Sequence, residues 1–318
     1  MNILFTGASS FSGMWFVKEL AHAGHAVTAL FKRPLDAYDG LRRKRIEQII
    51  PLCTPIYNTS FGDDQFLSAA ASKPWDIFCH HAADVTNYRS PDFNVANALA
   101  ANTFNLKTVL ATLKQTGCRK VLLTGSVFEQ NEGSGCNDLR AVSPYGLSKG
   151  LTAETFAYYT AIMEMKLAKF VIPNPFGAYE EGRFTSYLAQ TWLKKQSAAV
   201  NSPLYERDNI PVDLLAKAYV SFASDLDEDL GFQKFNPSFY MESQGSFTHR
   251  FAQELSQRFA LPCRFDLKNQ VDFSEPLTRV NTNPIDWQRL GWDEKSFWDE
   301  LATFYQTHYA SRETENVN

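Results

Sequence analysis

The sequence predicts an α/β protein built on a doubly wound parallel sheet, followed by a smaller C-terminal lobe. Three observations carry that expectation. Short β-branched runs alternate with stretches of helical periodicity through residues 1–175, a Gly-rich turn separates the first strand from the first helix, and beyond Tyr179 the alternation loosens while aromatic residues become denser. The expected division is 1–175 for the sheet domain and 176–318 mainly for the second lobe, with some later segments returning to the sheet.

Each element has its own signal. Residues 2–5 form a short apolar strand that ends in Thr6-Gly7, and residues 14–23 have helical spacing with Val17, Leu20 and Ala21 on one face. Gly24 suits the left-handed residue that closes such a helix, and residues 26–31 give the second strand. A basic connection, Arg42-Arg43-Lys44-Arg45, reads as a solvated helix face. Ile77-Phe78-Cys79 is a buried strand, residues 94–114 a single long helix, and residues 120–124 the next strand. A helix starts near Tyr145, and Phe170-Val171-Ile172 is a sixth strand stopped by Pro173. Strands alternating with helices imply a parallel sheet covered on both faces.

Composition bounds the function classes. In 318 residues, 31 Lys+Arg against 35 Asp+Glu leave a net charge of −4, so a grip on nucleic acid through bulk positive charge is not expected. The five cysteines, Cys53, Cys79, Cys118, Cys136 and Cys263, form no C-x-x-C pair, which suits reduced thiols in a cytoplasm. No signal segment or apolar run long enough for a membrane span is visible. His80-His81 lack the Cys or carboxylate spacing that would complete a metal site, and no metal is expected.

Three motifs carry chemistry. TGASSFSG places Gly7 at a tight bend and Gly13 where helix meets strand, and offers a helix N-terminus to a pyrophosphate; Ser10 takes the place of a middle glycine. Lys32 and Arg33 close the second strand, where a cation would accept a ribose 2′-phosphate, so NADP(H) is expected over NAD(H). In SPYGLSKG, Tyr145 and Lys149 lie four apart on one helix face, where an ammonium would lower the phenol's pKa and ready it for proton transfer.

Taken together, these motifs resemble the extended short-chain dehydrogenase/reductase family, in particular its NAD(P)-dependent nucleotide-sugar epimerases, dehydratases and reductases. The resemblance covers most of the chain: TGASSFSG, Asp63, His81-Ala82-Ala83, Asn102, the Thr124 strand, Tyr145 with Lys149, IPNPFGAY, RDNIPVD and Leu290-Gly291-Trp292. It implies a Rossmann-type sheet with a substrate-binding lobe. It makes Tyr145 the catalytic acid/base, Lys149 the ligand of the nicotinamide ribose, and Thr124 the third catalytic hydroxyl, with Ser126 the alternative and a substrate contact. Gly7, Ser10, Phe11, Gly13, Asn102 and Pro173 join the cofactor set, with Asp63 at the adenine and Ala82 and Ala83 along the cofactor wall. Asn174 and Arg207 become ligands of a substrate diphosphate.

Departures choose among activities. The 4,6-dehydratases follow the catalytic Thr with a carboxylate-bearing pair, whereas this chain has Gly125-Ser126, which points away from water elimination. Phe128-Glu129 replaces the usual Tyr-Gly, and Glu275 stands where a second phosphate-binding Arg is common, with Arg279 four residues on. The expected function is therefore hydride transfer at a carbinol or keto carbon of a nucleotide-linked sugar, by a keto-reductase or epimerase. The alternatives are an NADPH-dependent reductase of a non-nucleotide carbonyl and a non-catalytic NADP-sensing regulator. The family's habit of pairing through two helices makes a homodimer the expected assembly.

Overall fold

The computed structural model describes residues 1–136, 138–227, 229, 231–271 and 275–310. In chain order its first half runs β1 (Asn2–Thr6), α1 (Phe11–His22), β2 (Ala26–Leu30), α2 (Gly40–Ile49), β3 (Thr54–Ile56) and α3 (Asp64–Ala71). Then follow β4 (Ile77–His80), α4 (Val95–Asn102), α5 (Leu106–Gln115), β5 (Lys120–Ser126) and α6 (Pro144–Ile162). The sheet these strands build has seven parallel members in the order β3, β2, β1, β4, β5, Lys166–Ile172, Phe232–Phe235. This is the doubly wound Rossmann-type arrangement the sequence predicts.

Both faces of the sheet are buried, which is why its strands read as nearly unbroken apolar runs. Ile3, Phe5 and Leu122 pack on one side with Phe16 of α1 and with Leu215 and Tyr219 of the helix Val212–Ser224. Leu4, Phe78 and Leu123 pack on the other with Phe66 of α3, Leu110 of α5 and Phe156 of α6. The order of winding reverses between β1 and β4, so the chain leaves their carboxyl ends in opposite directions and opens a crevice there, the usual ligand position in such sheets.

A second, five-stranded sheet joins Tyr240–Ser243, Glu206–Pro211, Thr278–Val280 and Ser134–Gly135, with Asn174–Phe176 also paired to Glu206–Pro211. The halves of the sequence are therefore interleaved: Phe232–Phe235 completes the first sheet and Ser134–Gly135 joins the second. Among the described residues no helix is long and apolar enough to cross a membrane.

Three local expectations are corrected. The helix predicted over 94–114 is two helices, because Asn105 takes a left-handed conformation with φ 53°. The Asn105 amide donates to the Gly62 carbonyl at 2.9 Å, and a Cβ on Gly62 would lie 2.1 Å from the Phe104 carbonyl oxygen, so a long-range contact outweighs helical periodicity. The basic run is not wholly solvated, since Arg45 is buried, donates to the Tyr179 carbonyl at 2.7 and 2.9 Å and pairs with Glu181 at 2.8 Å. The sixth sheet strand is also longer than Phe170-Val171-Ile172. It begins at Lys166, and two buried lysines, Lys166 and Lys169, interrupt the apolar pattern that would have marked it.

Candidate active site

The Gly-rich turn sits at the mouth of the crevice. Gly7 has φ +82°, and a Cβ there would lie 2.7 Å from the Ala82 nitrogen; one on Gly13 would lie 2.2 Å from the Gly7 carbonyl oxygen. Both positions therefore need glycine, for backbone conformation and for close approach. Ser10 caps α1, its Oγ accepting the Gly13 N–H at 3.1 Å, while the N–H groups of Phe11 and Ser12 have no acceptor among the described residues. A helix N-terminus with two free donors and its positive dipole end suits a pyrophosphate, so the residues present fit a dinucleotide.

His81 ties this turn to β5. Its Nε2 lies 2.9 Å from Ser10 Oγ and 3.2 Å from Ser12 Oγ, and its Nδ1 lies 3.0 Å from Thr124 Oγ1. Burial and the nearby Lys149 ammonium pull its pKa down to about 3, so the ring is neutral. The same causes, with His81 added, pull the buried His80 down to about 3; His80 Nδ1 lies 3.0 Å from Thr6 Oγ1. Thr6 Oγ1 also accepts the N–H groups of His81 and Ala82, each at 3.2 Å. Among the described residues no group of three or more His, Cys, Asp or Glu is placed to hold a metal ion.

Tyr145 and Lys149 occupy the first turns of α6, whose N-cap Ser143 accepts the Gly146 N–H at 3.2 Å. Lys149 is buried, and its Nζ donates to the Thr124 carbonyl at 2.5 Å. Burial pulls its ammonium down to about 8; Glu129 opposes that fall and Lys169 adds to it. The Tyr145 ring meets Tyr88 and Phe93 edge-on, at centroid distances of 5.5 and 6.0 Å. Its phenol is held above the usual tyrosine range by desolvation, by the Glu129 carboxylate and by Tyr88, with Arg183 opposing. The expected lowering of the Tyr145 pKa by Lys149 is not seen: burial is the largest cause of the rise, Glu129 and Tyr88 add to it, and the Lys149 ammonium is turned to a backbone carbonyl.

Strand residues alternate between faces, so Thr124 and Ser126 both share the face of Leu122, toward α1, whereas Tyr145 stands on α6 on the opposite side of the sheet. The Thr124 hydroxyl is buried against His81. Ser126, the last residue of β5, is partly exposed at the sheet's carboxyl edge, and its Oγ accepts the Phe128 N–H at 3.2 Å.

The other predicted residues divide by what the protein has already done with them. Lys32 and Arg33 are exposed just past β2, and neither pairs with an acid among the described residues. Asp63 caps α3, one oxygen accepting the Phe66 N–H and the other the Ser60 N–H, both at 2.7 Å. Ala82 and Ala83 line the segment after β4 at intermediate exposure. Asn102 accepts the Asp84 N–H at 2.8 Å and donates to Thr152 at 3.3 Å, which stitches that segment to α6. Pro173 is buried where the strand Lys166–Ile172 ends.

Asn174 is exposed, and its amide donates to Asn209 at 2.6 Å. Arg207, two residues before Asn209 on the same strand face, is not the open cation expected. Its guanidinium donates to the carbonyls of Glu206 (2.7 Å), Leu277 (3.3 Å) and Pro276 (2.9 Å), pairs with Glu275 at 3.0 Å, and stacks 3.4 Å from the centre of the Tyr205 ring. Arg279 is equally committed: it is buried and donates to the carbonyls of Val127 (3.0 Å), Glu129 (2.7 Å) and Arg140 (3.0 Å).

Two charged groups near Tyr145 escaped the sequence reading of the site. Arg183 lies over the Phe11 ring, 5.4 Å from its centre, and donates to the Pro175 carbonyl at 3.1 Å. Glu129 is fully buried, accepts the Ser126 N–H at 2.7 Å, and meets Lys169 at 2.5 Å. Only the replacement of a usual glycine by Glu129 hinted at it.

The fold and this crevice define an enzyme of the extended short-chain dehydrogenase/reductase type. Residues 3–236 match the model of the NAD dependent epimerase/dehydratase family, and the chain belongs to that family. Among solved structures, it is similar to the UDP-glucose 4-epimerase of Bifidobacterium longum, solved with NAD+ and UDP. The TM-score is 0.71 and the identity 18%, over 98% of this chain and 99% of that one. It is similar to the UDP-glucuronic acid 4-epimerase of Bacillus cereus, solved with UDP-glucuronic acid and NAD, at TM-score 0.71 and 15% identity over 97% and 100%. It is also similar to a dTDP-glucose 4,6-dehydratase of Streptomyces venezuelae, at TM-score 0.72 and 15% identity over 98% of each chain. No curated protein matches it in sequence.

Proposed function

We propose that this enzyme transfers a hydride between a nicotinamide and a carbinol or keto carbon, with Tyr145 moving the accompanying proton. The observation that carries the reading is the placement of Tyr145 and Lys149 on one face of α6, with Lys149 Nζ fixed at the Thr124 carbonyl beside the crevice. Bound there, the nicotinamide supplies or accepts the two electrons as hydride at its C4. The chain's own groups do the rest. Tyr145 takes the hydroxyl proton as the carbonyl forms and returns it in the reverse direction. Lys149, held as an ammonium at the Thr124 carbonyl, would bind the nicotinamide ribose. We assign the hydroxyl that holds the reacting oxygen to Ser126 over Thr124, since Ser126 is partly exposed at the strand end whereas Thr124 is buried against His81. Tyr145→Phe is expected to abolish turnover while the cofactor Kd changes by less than about threefold; undiminished turnover removes Tyr145 from the mechanism.

For the substrate we propose a sugar carried on a nucleoside diphosphate, acted on by an epimerase or keto-reductase. The support is the family together with the UDP and dTDP sugars named for the neighbouring structures. Gly125-Ser126 carries no carboxylate where the family's dehydratases have one after the catalytic Thr, which argues against water elimination. One observation favours a second reading, a non-nucleotide carbonyl substrate: Arg207 is already neutralised by Glu275. Binding measurements with UDP, CDP, GDP and dTDP separate the two, since the first reading requires that at least one bind. We also propose NADP(H) over NAD(H), on the two cations Lys32 and Arg33 just past β2; tighter binding of NAD(H) refutes it. A homodimer through α4, α5 and α6 is proposed from the exposed Phe104, Leu147, Tyr158 and Ile162, and a monomeric mass by light scattering refutes that.

A further inference from the structure

Directly beneath the Tyr145–Lys149 pair lies a buried ionic cluster for which the proposed function has no use. Lys169 Nζ sits 2.5 Å from Glu129 and 2.8 Å from Glu132, and Glu132 also meets Lys234 at 3.0 Å and the Asn236 amide at 2.9 Å. Glu129, Glu132 and Lys169 are all buried. Taking such charges out of water costs several kcal/mol per ion, and packed apolar residues would often stabilise a fold as well. The cluster therefore asks for a role besides stability.

The path of the chain puts Glu129 at the site. A Cβ on Gly146 would lie 2.1 Å from the Phe128 carbonyl oxygen, and one on Gly150 would lie 2.1 Å from the Gln130 side-chain oxygen. Residues 128 and 130 thus press on α6 at the positions immediately after Tyr145 and Lys149, with Glu129 between them. Arg279 pins the same segment from its other side through the Val127 and Glu129 carbonyls, and the Ser126 N–H fixes one Glu129 oxygen. The carboxylate cannot swing away.

We propose that Glu129 is a positioning residue for the Tyr145–Lys149 pair: a fixed negative charge, itself held by Lys169, that keeps Lys149 an ammonium in a buried site. The inference rests on the proposed roles of Tyr145 and Lys149. The groups that face them are few. Lys149 meets Glu129, Lys169 from the neighbouring strand, and the neutral His80 and His81 after β4. Tyr145 meets Glu129, Tyr88 and Arg183. Glu129 raises both groups, so its removal lowers both; burial pushes the Glu129 carboxyl itself up, and the Lys169 ammonium opposes that rise.

The test is an NMR titration of Lys149 in cofactor-free protein labelled at lysine Cε, with the resonance assigned by its loss in Lys149→Met. Glu129→Gln keeps an oxygen for the Ser126 N–H and leaves Lys169 paired with Glu132, so the fold is retained. The Lys149 midpoint, about 8 in the native chain, is expected to fall by about 0.5 to 1 pH unit. Glu129→Asp, which keeps the charge, should leave the midpoint near the native value. Should Glu129→Asp not fold, the Glu129→Gln titration decides alone. An unmoved or rising midpoint in Glu129→Gln overturns the proposal, because a purely structural carboxylate would change stability and leave the titration in place. The readout needs no substrate. A shifted Lys149 with no hydride transfer under any condition would keep this inference and sink the proposed function; where turnover is seen, its pH profile should shift to lower pH in Glu129→Gln.

Discussion

The two glycines of SPYGLSKG give a sharp contrast when each is replaced by alanine. A Cβ on Gly146 would stand 2.1 Å from the Phe128 carbonyl oxygen and 2.8 Å from its carbonyl carbon, both backbone atoms. Ordinary contact there is about 3.4 Å or more, so the segment must retreat by more than 1 Å, roughly the difference of those two distances. Arg279 on the Glu129 carbonyl and the Val142 N–H on the Phe128 carbonyl resist that retreat. Overpacking of this kind costs about 1 to 3 kcal/mol, against a helix-propensity gain for alanine of at most about 1 kcal/mol. At position 150 the atoms met are the Oε1, Nε2 and Cδ of Gln130, the far end of a flexible side chain, at 2.1 to 2.4 Å. Gln130 can rotate away, and the propensity gain then offsets most of the cost. Gly146→Ala is expected to lower Tm by about 2 to 6 °C, and Gly150→Ala to change it by less than about 2 °C. Thermal unfolding followed by circular dichroism measures both. Equal effects, or a Gly146→Ala protein as stable as the native one, would refute the packing argument and with it the rigidity claimed for residues 128–130.

Three further outcomes follow from the site. Ser126→Ala is expected to lower kcat about 10²-fold, whereas Thr124→Val, which removes the partner of His81 Nδ1, should cost about 1 to 3 kcal/mol of stability with the smaller loss of kcat; the reverse order restores Thr124 as the reacting hydroxyl. Asp208 is pushed up by burial from 3.8 to about 7, against the Phe239 N–H it accepts. Its folded pKa exceeds its unfolded one, so its penalty is absent below about pH 4, grows to about pH 7 and stays constant above. Asp208→Asn should therefore gain stability relative to the native chain between pH 4 and 7, by up to about 4 kcal/mol; urea unfolding at pH 4.5 and 8 checks it, and a pH-independent difference refutes it. Glu275→Gln leaves Arg207 with net positive charge, and if a diphosphate binds there its Kd should tighten about tenfold; an unchanged Kd by calorimetry detaches Arg207 from the substrate.

What the sequence discloses is what is local or ordered along the chain. The turn TGASSFSG could be read because the strand end, the tight glycine and the helix N-terminus lie within a few residues of one another, and Tyr145 with Lys149 because four residues on a helix share a face. Between Thr124 and Ser126 strand alternation does not choose, since both fall on one face of β5; what separates them is that Thr124 is buried against His81 while Ser126 is partly exposed at the strand end, and no count along the chain supplies that. Asn105 ends a helix only because Gly62 approaches it. Glu129 stands out in the sequence only as a departure from the usual glycine and Lys169 not at all, since their partners come from different turns and strands.

Arg207, Glu275, Arg279 and Glu129 show one rule at work. Each is an ionisable side chain whose chemistry, read alone, suggests a ligand, and the fold has answered each with a partner: a carboxylate for Arg207, backbone carbonyls for Arg279, an ammonium for Glu129. A buried charge must be paired to be tolerated, so a cation that the protein has already neutralised is weak support for an anionic substrate. Lys32 and Arg33 are exposed, where water serves an unpaired cation, so the 2′-phosphate proposed for them stands on their place after β2 and not on their lack of a partner. The nucleotide half of the substrate is where the structure departs furthest from what its motifs suggest.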